Sequence, residues 1–400
     1  MTQFLLKKLI TTATPTATQL ATTNTSTQKQ GVEQPACTKE AASKKPAVNH
    51  YEVTYHINTE PFTAKKPTVR TNKTQLNSSS PPANTNPNQQ PQKSQEPQNS
   101  QKAKKIQESI AFKKTTLSVP PLPAHVQNLN AVIGKEITFK WNGEIYCIYC
   151  GRKTKKSFNQ GYCYPCFVKL ARNDVCAVKP ELCHFHQKTC REPTWGLNYC
   201  FIKHTVYLAI SDKLKVGITR NYQEQHRWID QGAYLAMPIA HTDDRLSAGR
   251  IEVSLKSLFN DKTFWQHMLK KIPDHSEIAA GIDTLTEASH KAAEIIYHVS
   301  TEAKKSQKPE EIITKTTPAQ PFMPPLTVTP IPINESEVLA DMHYFHYPLT
   351  AMPPSFSSIS FEKSPVITDT LLGIKGQYLI FPSGVLNMRK FAGYLIEASF

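Results

Sequence analysis

Eight of the nine cysteines in this chain lie between residues 147 and 200, so this segment restricts the fold more than any other. The first four form two CxxC pairs, Cys147/Cys150 and Cys163/Cys166, with twelve residues between the pairs. Each pair is typical of a tight turn, and two such turns supply the four thiolates of a tetrahedral zinc site. Because four sulfurs leave no open coordination position, we predict a structural zinc ion. Free thiols or a redox-active CxxC are the alternatives.

A second group of residues with metal-binding side chains follows with irregular spacing. These residues can form a second zinc site of three or four cysteines with one histidine, or they can be small buried side chains. A catalytic zinc would also need an open position and a nearby carboxylate, for which Glu181 and Glu192 are candidates. The candidate ligands are Cys176, Cys183, His184, His186, Cys190, Cys200 and His204.

Basic residues are unevenly distributed. The net charge is +15; residues 1–122 contain sixteen Lys/Arg against six Glu, and residues 147–230 contain fourteen Lys/Arg against six acidic residues. A basic segment beside a basic core predicts an anionic polymer as partner, and nucleic acid is the usual one. The alternative is that the basic N-terminal segment only improves solubility.

Composition divides the chain into five segments. Residues 1–122 are rich in Thr, Gln, Asn, Ser, Pro and Lys and contain one glycine, so we predict a disordered tail. A cysteine-rich zinc-binding region at 123–203, a small mixed α/β core at 204–306 and a Pro/Thr-rich linker at 307–340 follow. A C-terminal β segment at 341–400 is expected to pack on the core. The predicted fold class is α+β.

The core and its flanks have recognisable periodicities. Residues 204–210 and 214–219 are predicted strands, and 222–234, 246–259 and 276–306 are predicted helices. Two further predicted strands, 131–139 and 145–148, flank a turn at Trp141–Glu144. The other predicted strands are 376–381, 391–396 and, in the tail, 50–57.

Membrane and secretion signals are missing from the sequence. No stretch approaches the ~20 apolar residues of a membrane helix, and the start, MTQFLLKKLI, lacks the long apolar region and cleavage site of a secretory signal. Clustered cysteines then indicate metal ligands kept reduced. We expect a cytoplasmic protein without membrane association.

The segment after residue 204 resembles the GIY-YIG endonuclease superfamily. The resemblance rests on Val206-Tyr207, Lys215-Val216-Gly217, Arg227 and Glu252. It implies that Tyr207 assists deprotonation of the attacking water, that Arg227 steadies the phosphate and that Glu252 binds Mg²⁺. These are the groups that phosphodiester cleavage needs. Lys215 stands where the family has its second tyrosine.

Each of these residues also has a structural interpretation. Tyr207 can be a core aromatic, Arg227 can cover apolar surface with its stem, and Glu252 can pair with Lys256 one turn later. A fold kept only for binding therefore remains an alternative to an enzyme.

A second resemblance covers residues 124–400, with an interruption near 300–340. The runs CIYCGRKTKKSFNQGYCYPCF, CHFHQKTCREPTW, VYLAISDKLKVGITR and LLGIKGQYLIFPSGVLNMRKFAGY resemble an uncharacterised bacterial family with a domain of unknown function. This resemblance implies an architecture and no activity.

These observations lead to two main functional hypotheses. The first is a zinc-containing nucleic-acid-binding protein, with Mg²⁺-dependent endonuclease activity as its catalytic form. We expect Lys153, Lys155, Lys156 and Arg220 to contact phosphates and Trp228 to stack on bases. The second is a non-catalytic zinc scaffold that binds a protein partner.

Overall fold

A computed structural model describes most of the chain, with its two longest gaps at residues 17–47 and 61–125. All described residues belong to one compact unit, formed by residues 1–65 and 124–400. The described ranges are 2–6, 9–16, 48–60, 126–259, 264–305, 324–331 and 338–400.

Strands and helices are both abundant, which confirms the α+β fold class. The strands, in chain order, are β1 (Thr2–Leu5), β2 (Ile10–Pro15), β3 (Asn49–Asn58), β4 (Val126–Asn128), β5 (Glu136–Ile145), β6 (His204–Ile210), β7 (Leu214–Arg220), β8 (Leu235–Thr242), β9 (Thr329–Pro330), β10 (His343–His346), β11 (Val366–Thr370), β12 (Gly373–Lys375), β13 (Tyr378–Phe381), β14 (Gly384–Asn387) and β15 (Tyr394–Ser399). The α-helices are α1 (Tyr164–Lys169), α2 (Pro193–Tyr199), α3 (Glu224–Asp230), α4 (Arg245–Leu255), α5 (Trp265–Lys270) and α6 (His275–Lys305).

The largest sheet carries the predicted α/β core. Its strand order is β2-β3-β10-β8-β6-β7, with β4 beside β3 and β9 beside β8. Only the β10–β3 pair is parallel among the described pairings of this sheet. Strand β6 is buried on both faces, as the apolar run at 206–210 predicts. Along the described path β7 is an edge strand, although its residues 215–219 are buried.

Side chains alternate between two cores along β6. Val206 and Leu208 point into a cluster that also contains apolar residues of α4 and α6. Tyr207 and Ala209 point to the other face, where Trp228 of α3 joins the larger cluster. That larger cluster includes the second sheet, ordered β1-β15-β5-β11, and residues of the small sheet β12-β13-β14. The alternation follows from the two-residue period of a strand.

Three strands of the N-terminal region are integrated into these sheets. β1 pairs with β15, and β3 lies between β2 and β10. Phe4, Leu6 and Tyr55 are fully buried. Residues 2–6, 9–16 and 48–60 therefore differ from the tail predicted for 1–122, because their alternating apolar side chains complete the core. The rest of that predicted tail lies outside the described residues.

The other element predictions differ from the structure in detail. The five core elements are confirmed, with shorter first and second helices than predicted, whereas the strand predicted at 145–148 is wrong because β5 ends at Ile145. The turn predicted at Trp141–Glu144 is wrong: these residues lie within β5, where two extra residues opposite β15 form a bulge. Gly143 has a φ of +85° there. Of the linker predicted at 307–340, residues 307–323 and 332–337 lie outside the described residues, and the five-segment division stays a prediction.

Within the described ranges, no helix combines the length and the apolarity that a membrane span requires.

Candidate functional site

The four cysteines of the two CxxC pairs converge at one point. Cys147 and Cys150 follow β5, while Cys163 and Cys166 lie at the beginning of α1. Their sulfur atoms all lie within 4.8 Å of one another. The Cys150 and Cys163 sulfurs are 3.7 Å apart, far beyond the ~2.05 Å of a disulfide. Sulfurs at ~2.3 Å from one tetrahedral zinc ion would be about 3.8 Å apart.

Backbone hydrogen bonds fold this segment into two tight turns. The Gly151 N–H donates to the Cys147 carbonyl at 2.9 Å, and the Cys147 N–H donates to the Arg152 carbonyl at 2.8 Å. Gly151 has a φ of +71°, which a side chain would disfavour. At Gly161, a Cβ atom would lie 2.8 Å from Ile148 Cδ1. The glycines therefore permit the turns that bring the sulfurs together.

The environment of Cys147 favours a thiolate. Burial acts to raise the pKa of this thiol, but hydrogen bonds from backbone N–H groups of Cys150, Cys163 and Tyr149 outweigh burial and lower the pKa to about 7. A metal ion binds thiolates and would favour deprotonation of the other three. Four reduced cysteines at this spacing can hold a zinc ion, as the sequence predicts, with no position left for a substrate.

The second group of predicted ligands is only partly brought together. Cys176 and Cys183 form a side-chain hydrogen bond, and His184 lies beside Cys176 together with Asp174, which the sequence analysis did not include. Among the described residues, the predicted ligands outside any group of convergent ligand atoms are Cys183, His186, Cys190, Cys200 and His204.

His204 occupies a buried position on β6. Its Nδ1 atom is 2.7 Å from the Ile202 carbonyl oxygen, while its Nε2 atom is buried without a hydrogen-bond partner. Burial lowers its pKa to about 4. We therefore interpret His204 as a neutral core side chain.

Tyr207 and Gly217 of the predicted catalytic set lie directly opposite each other on β6 and β7. Tyr207 is 1% exposed, and its hydroxyl accepts a hydrogen bond from Gln231 Nε2 at 2.8 Å. Arg227 also forms a side-chain hydrogen bond with Tyr207, and burial raises the pKa of the tyrosine. Lys215 lies on the same face of the sheet, and burial lowers its pKa to about 8.

Glu252 approaches this group from α4. Burial raises the pKa of its carboxyl, the nearby Lys256 charge opposes that effect, and the carboxylate of Glu181 adds to it. The charge of Arg227 lowers the pKa of Glu252, and the charge of Glu252 raises that of Tyr207. The Oε2 atom of Glu181 is buried without a hydrogen-bond partner. Residues that are far apart in the sequence thus interact electrostatically beside β7.

Three arginines surround a cavity of about 170 Å³ beside the second cysteine group. Arg172, Arg220 and Arg245 line it together with Cys176 and Cys200. The Nε atoms of Arg172 and Arg245 are buried without hydrogen-bond partners. Burial lowers the pKa of Arg245, and the charges of Arg220 and Arg227 lower it further. Positive charge is therefore concentrated here.

The side chains predicted to contact nucleic acid differ in their exposure and in their partners. Lys153, Lys155 and Lys156 are exposed; Lys153 pairs with Glu144, and Lys156 lies over the Phe158 ring. Arg220 donates from Nε to the Tyr199 carbonyl at 3.2 Å. These positions remain compatible with a phosphate contact.

The stacking role predicted for Trp228 is wrong. Its side chain is 0% exposed and packs edge-on against Tyr207, with ring centroids 5.8 Å apart. A base cannot reach a ring enclosed in this way. The adjacent apolar residues Trp228 and Ile229 on α3 indicate a core face. This was the sequence signal that the Trp228 side chain would be buried.

Arg172, Arg245 and Asp174 were missed by the sequence analysis. They lie outside any motif, and only tertiary folding brings Arg245 of α4 beside the turns at 171–184. The one available signal was the local excess of basic residues between 147 and 230.

Comparisons with known proteins locate the chain within a family. No curated protein and no solved structure matches it. Residues 134–396, which include the four-cysteine cluster, the arginine-lined cavity and the β6–β7 pair, match the profile of a family described as "Protein of unknown function (DUF2797)". Since the match covers well over half of the chain, this protein belongs to the DUF2797 family.

Proposed function

We propose that this protein binds the phosphate backbone of nucleic acid at the arginine-lined cavity. The supporting observation is the set of Arg172, Arg220 and Arg245 around one cavity. Among the described ion pairs, none joins these arginines to a carboxylate. A phosphate would supply the missing counter-charge and accept the unused guanidinium hydrogens. The zinc-binding turns would hold the segment that carries Arg172.

Binding of the full chain to duplex DNA, single-stranded DNA and RNA over a salt series tests this proposal. We expect affinity to fall steeply with salt, because each neutralised phosphate releases counterions. Arg220→Gln and Arg245→Gln should each reduce the slope of log affinity against log salt by about 1. Arg250→Gln is the matched control, because Arg250 lies on the same helix as Arg245 but donates to the Pro324 carbonyl. Binding that is absent or independent of salt would refute the proposal.

A second candidate function is phosphodiester cleavage of the GIY-YIG type. Two observations favour it. Arg227 contacts Tyr207, whose ring lies against Gly217, and the charge of Glu252 is close enough to affect the tyrosine. The paired oxygen donors of Glu252 and Glu181 are of the type that Mg²⁺ prefers. Mg²⁺ bound there would stabilise negative charge on a phosphate. Arg227, which is exposed, would orient the phosphate, and the buried Tyr207 hydroxyl would hold Arg227 in place.

A Mg²⁺-dependent nicking assay on branched, duplex and single-stranded substrates separates cleavage from binding. A nuclease should lose activity in Glu252→Gln and in Tyr207→Phe while binding is retained. The Glu224→Gln variant provides a comparison, since Glu224 is a half-buried carboxyl that accepts from Thr205. If the wild-type protein binds but never cleaves, the non-catalytic interpretation with Lys215 in place of a second tyrosine is correct.

A further inference from the structure

Three potential metal ligands outside the four-cysteine cluster converge in the turns that follow α1. One ligand atom each from Asp174, Cys176 and His184 lie within 4.8 Å of one another. Asp174 is buried, and the other two are half-buried. Among the described residues, this group and the four-cysteine cluster are the two sets of ligand atoms that could share one metal ion. The convergence does not depend on the proposed nucleic-acid binding.

Hydrogen bonding around His184 determines which ring nitrogen is available. The Thr189 hydroxyl donates its hydrogen to the His184 carbonyl oxygen at 3.2 Å. That hydroxyl is also 2.6 Å from His184 Nδ1, and with its hydrogen already used it must accept from an Nδ1–H group. In the neutral ring, Nε2 then carries the lone pair. Metal-binding histidines are commonly held by such a hydrogen bond from the other ring nitrogen.

The Nε2 lone pair of His184 faces a carboxylate. Nε2 is 3.5 Å from Asp174 Oδ2. Two acceptor atoms at this distance repel each other unless a proton or a cation lies between them. An Nε2 proton would give a simple ion pair of His184 with Asp174, whereas a metal ion would satisfy both atoms and also the nearby Cys176 sulfur.

Asp174 is itself held in place. Its Oδ1 atom accepts the Val175 N–H at 2.6 Å, and its Oδ2 atom accepts from Arg191 Nε at 2.7 Å. Such supporting contacts orient a carboxylate ligand. They also leave lone pairs on both oxygens, since each carboxylate oxygen can accept two hydrogen bonds.

A fourth ligand and the charge balance are both available. Cys183 directly precedes His184, and its thiol interacts with that of Cys176, although its sulfur lies outside the group of three convergent atoms. Two thiolates and one carboxylate carry three negative charges. A divalent ion and the Arg191 guanidinium carry three positive charges. A buried cluster of this composition would be neutral, as burial requires.

We propose that Asp174, Cys176, Cys183 and His184 bind a second zinc ion. This set differs from the sequence-based group by including Asp174 and by excluding His186, Cys190, Cys200 and His204. Nitrogen, sulfur and carboxylate donors are the ligands that tetrahedral zinc accepts. The ion would connect the turn after α1 to the turn that begins at residue 183.

Zinc content of the full chain, purified from zinc-supplemented medium, tests the proposal. We expect two zinc ions per chain in the wild-type protein and one in His184→Ala. His186→Ala is the matched control, because it is a half-buried histidine in the same turn, and it should retain two ions. One ion in the wild type, or two ions in His184→Ala, would overturn the proposal. The first of these results would leave the His184–Asp174 ion pair as the explanation.

A conservative variant covers the case in which His184→Ala misfolds. Thr189→Val keeps every ligand but removes the hydrogen bond to Nδ1, so we expect one of the two zinc ions to bind about 10- to 100-fold more weakly in competition with a chelator. The other ion, in the four-cysteine cluster, should be unaffected. If the chelator removes neither ion more readily from Thr189→Val than from the wild type, His184 is not a ligand.

Discussion

The Tyr207 ring lies directly against the backbone of Gly217, so closely that a Cβ atom on Gly217 would be 2.6 Å from the tyrosine hydroxyl oxygen. The two residues are partners in the β6–β7 pair. Gly217 has no positive φ, so its conformation alone does not demand glycine. The close approach of Tyr207 does, and the glycine therefore maintains the position of the tyrosine hydroxyl beside Gln231 and Arg227.

Gly217→Ala should accordingly destabilise the protein. We expect a loss of about 1–3 kcal/mol in the free energy of unfolding, the usual cost of an added methyl group in a filled core. Denaturant unfolding measures it. Tyr207→Leu removes the ring that causes the clash, so the alanine should cost less in that background. Equal costs of Gly217→Ala in both backgrounds would mean that the ring is not what excludes a side chain at 217.

The first metal cluster was predictable because its information is local. Two CxxC pairs specify two turns, and each turn is fixed by residues within a few positions of the cysteines. The strands β6 and β7 were predictable for a similar reason, since each is a short apolar run bounded by polar residues. Neither prediction required knowledge of the tertiary structure.

The N-terminal strands and the arginine cavity could not be obtained in this way. β2 has the sequence ITTATP, in which threonine suits a strand but also resembles the Thr-rich flanks. Its burial depends on pairing with β3, which is more than thirty residues away. Likewise Arg172 and Arg245 are isolated in sequence and meet only when α4 packs on the turn at Pro180–Leu182.

Loss of the zinc ion predicted for the four-cysteine cluster should strongly destabilise the region between β5 and β6. We expect Cys163→Ser to lower the zinc content by one ion and to lower the denaturation midpoint, because zinc binding contributes directly to folding. Cys190→Ser is the control: this half-buried cysteine lies outside both groups of potential ligands, so its zinc content should equal that of the wild type. Metal analysis and denaturant unfolding on the same samples provide the measurement. Unchanged zinc content in Cys163→Ser would exclude the four-sulfur site.

The connection between β3 and β4 should be replaceable by a short turn. These strands pair antiparallel, and Asn58 is the partner of Val126, so the ends of the connection are adjacent. We expect a chain in which residues 60–124 are replaced by a four-residue glycine-containing turn to keep the wild-type stability within about 1 kcal/mol, since loop length affects closure entropy only slowly.

Deletion of residues 1–16 serves as the contrasting variant. It removes the buried side chains of Phe4, Leu6 and Leu9 together with β1 and β2, and we expect loss of cooperative unfolding. The shortened-loop chain also loses the ten Lys/Arg and three Glu of residues 60–124. If that stretch contacts phosphate, its removal lowers the salt dependence of nucleic-acid binding without changing stability. Unfolding of the shortened-loop chain would contradict the β3–β4 pairing.

Lys375 should make the stability of the protein depend on pH above neutrality. This residue of β12 is 4% exposed, and its Nζ atom donates to the Lys271 carbonyl at 2.5 Å. Burial lowers its pKa to about 7, and the charge of Lys271 adds to the effect. In the unfolded chain the pKa is about 10.4. Between these values the unfolded state binds more protons, so stability rises with pH, by up to about 1.4 kcal/mol per pH unit.

Lys375→Met tests this relationship because it removes the proton while keeping an unbranched side chain. From pH 7 to pH 9 the wild-type free energy of unfolding should rise more steeply than that of the variant. Lys215, whose pKa burial lowers to about 8, contributes a similar slope in both proteins. Lys270→Met, which removes the exposed lysine directly before Lys271, should keep the wild-type slope. Identical slopes in the wild type and Lys375→Met would mean that Lys375 stays protonated when buried, because the attraction of Asp212 and the Tyr347 ring 5.3 Å from Nζ would then outweigh its desolvation.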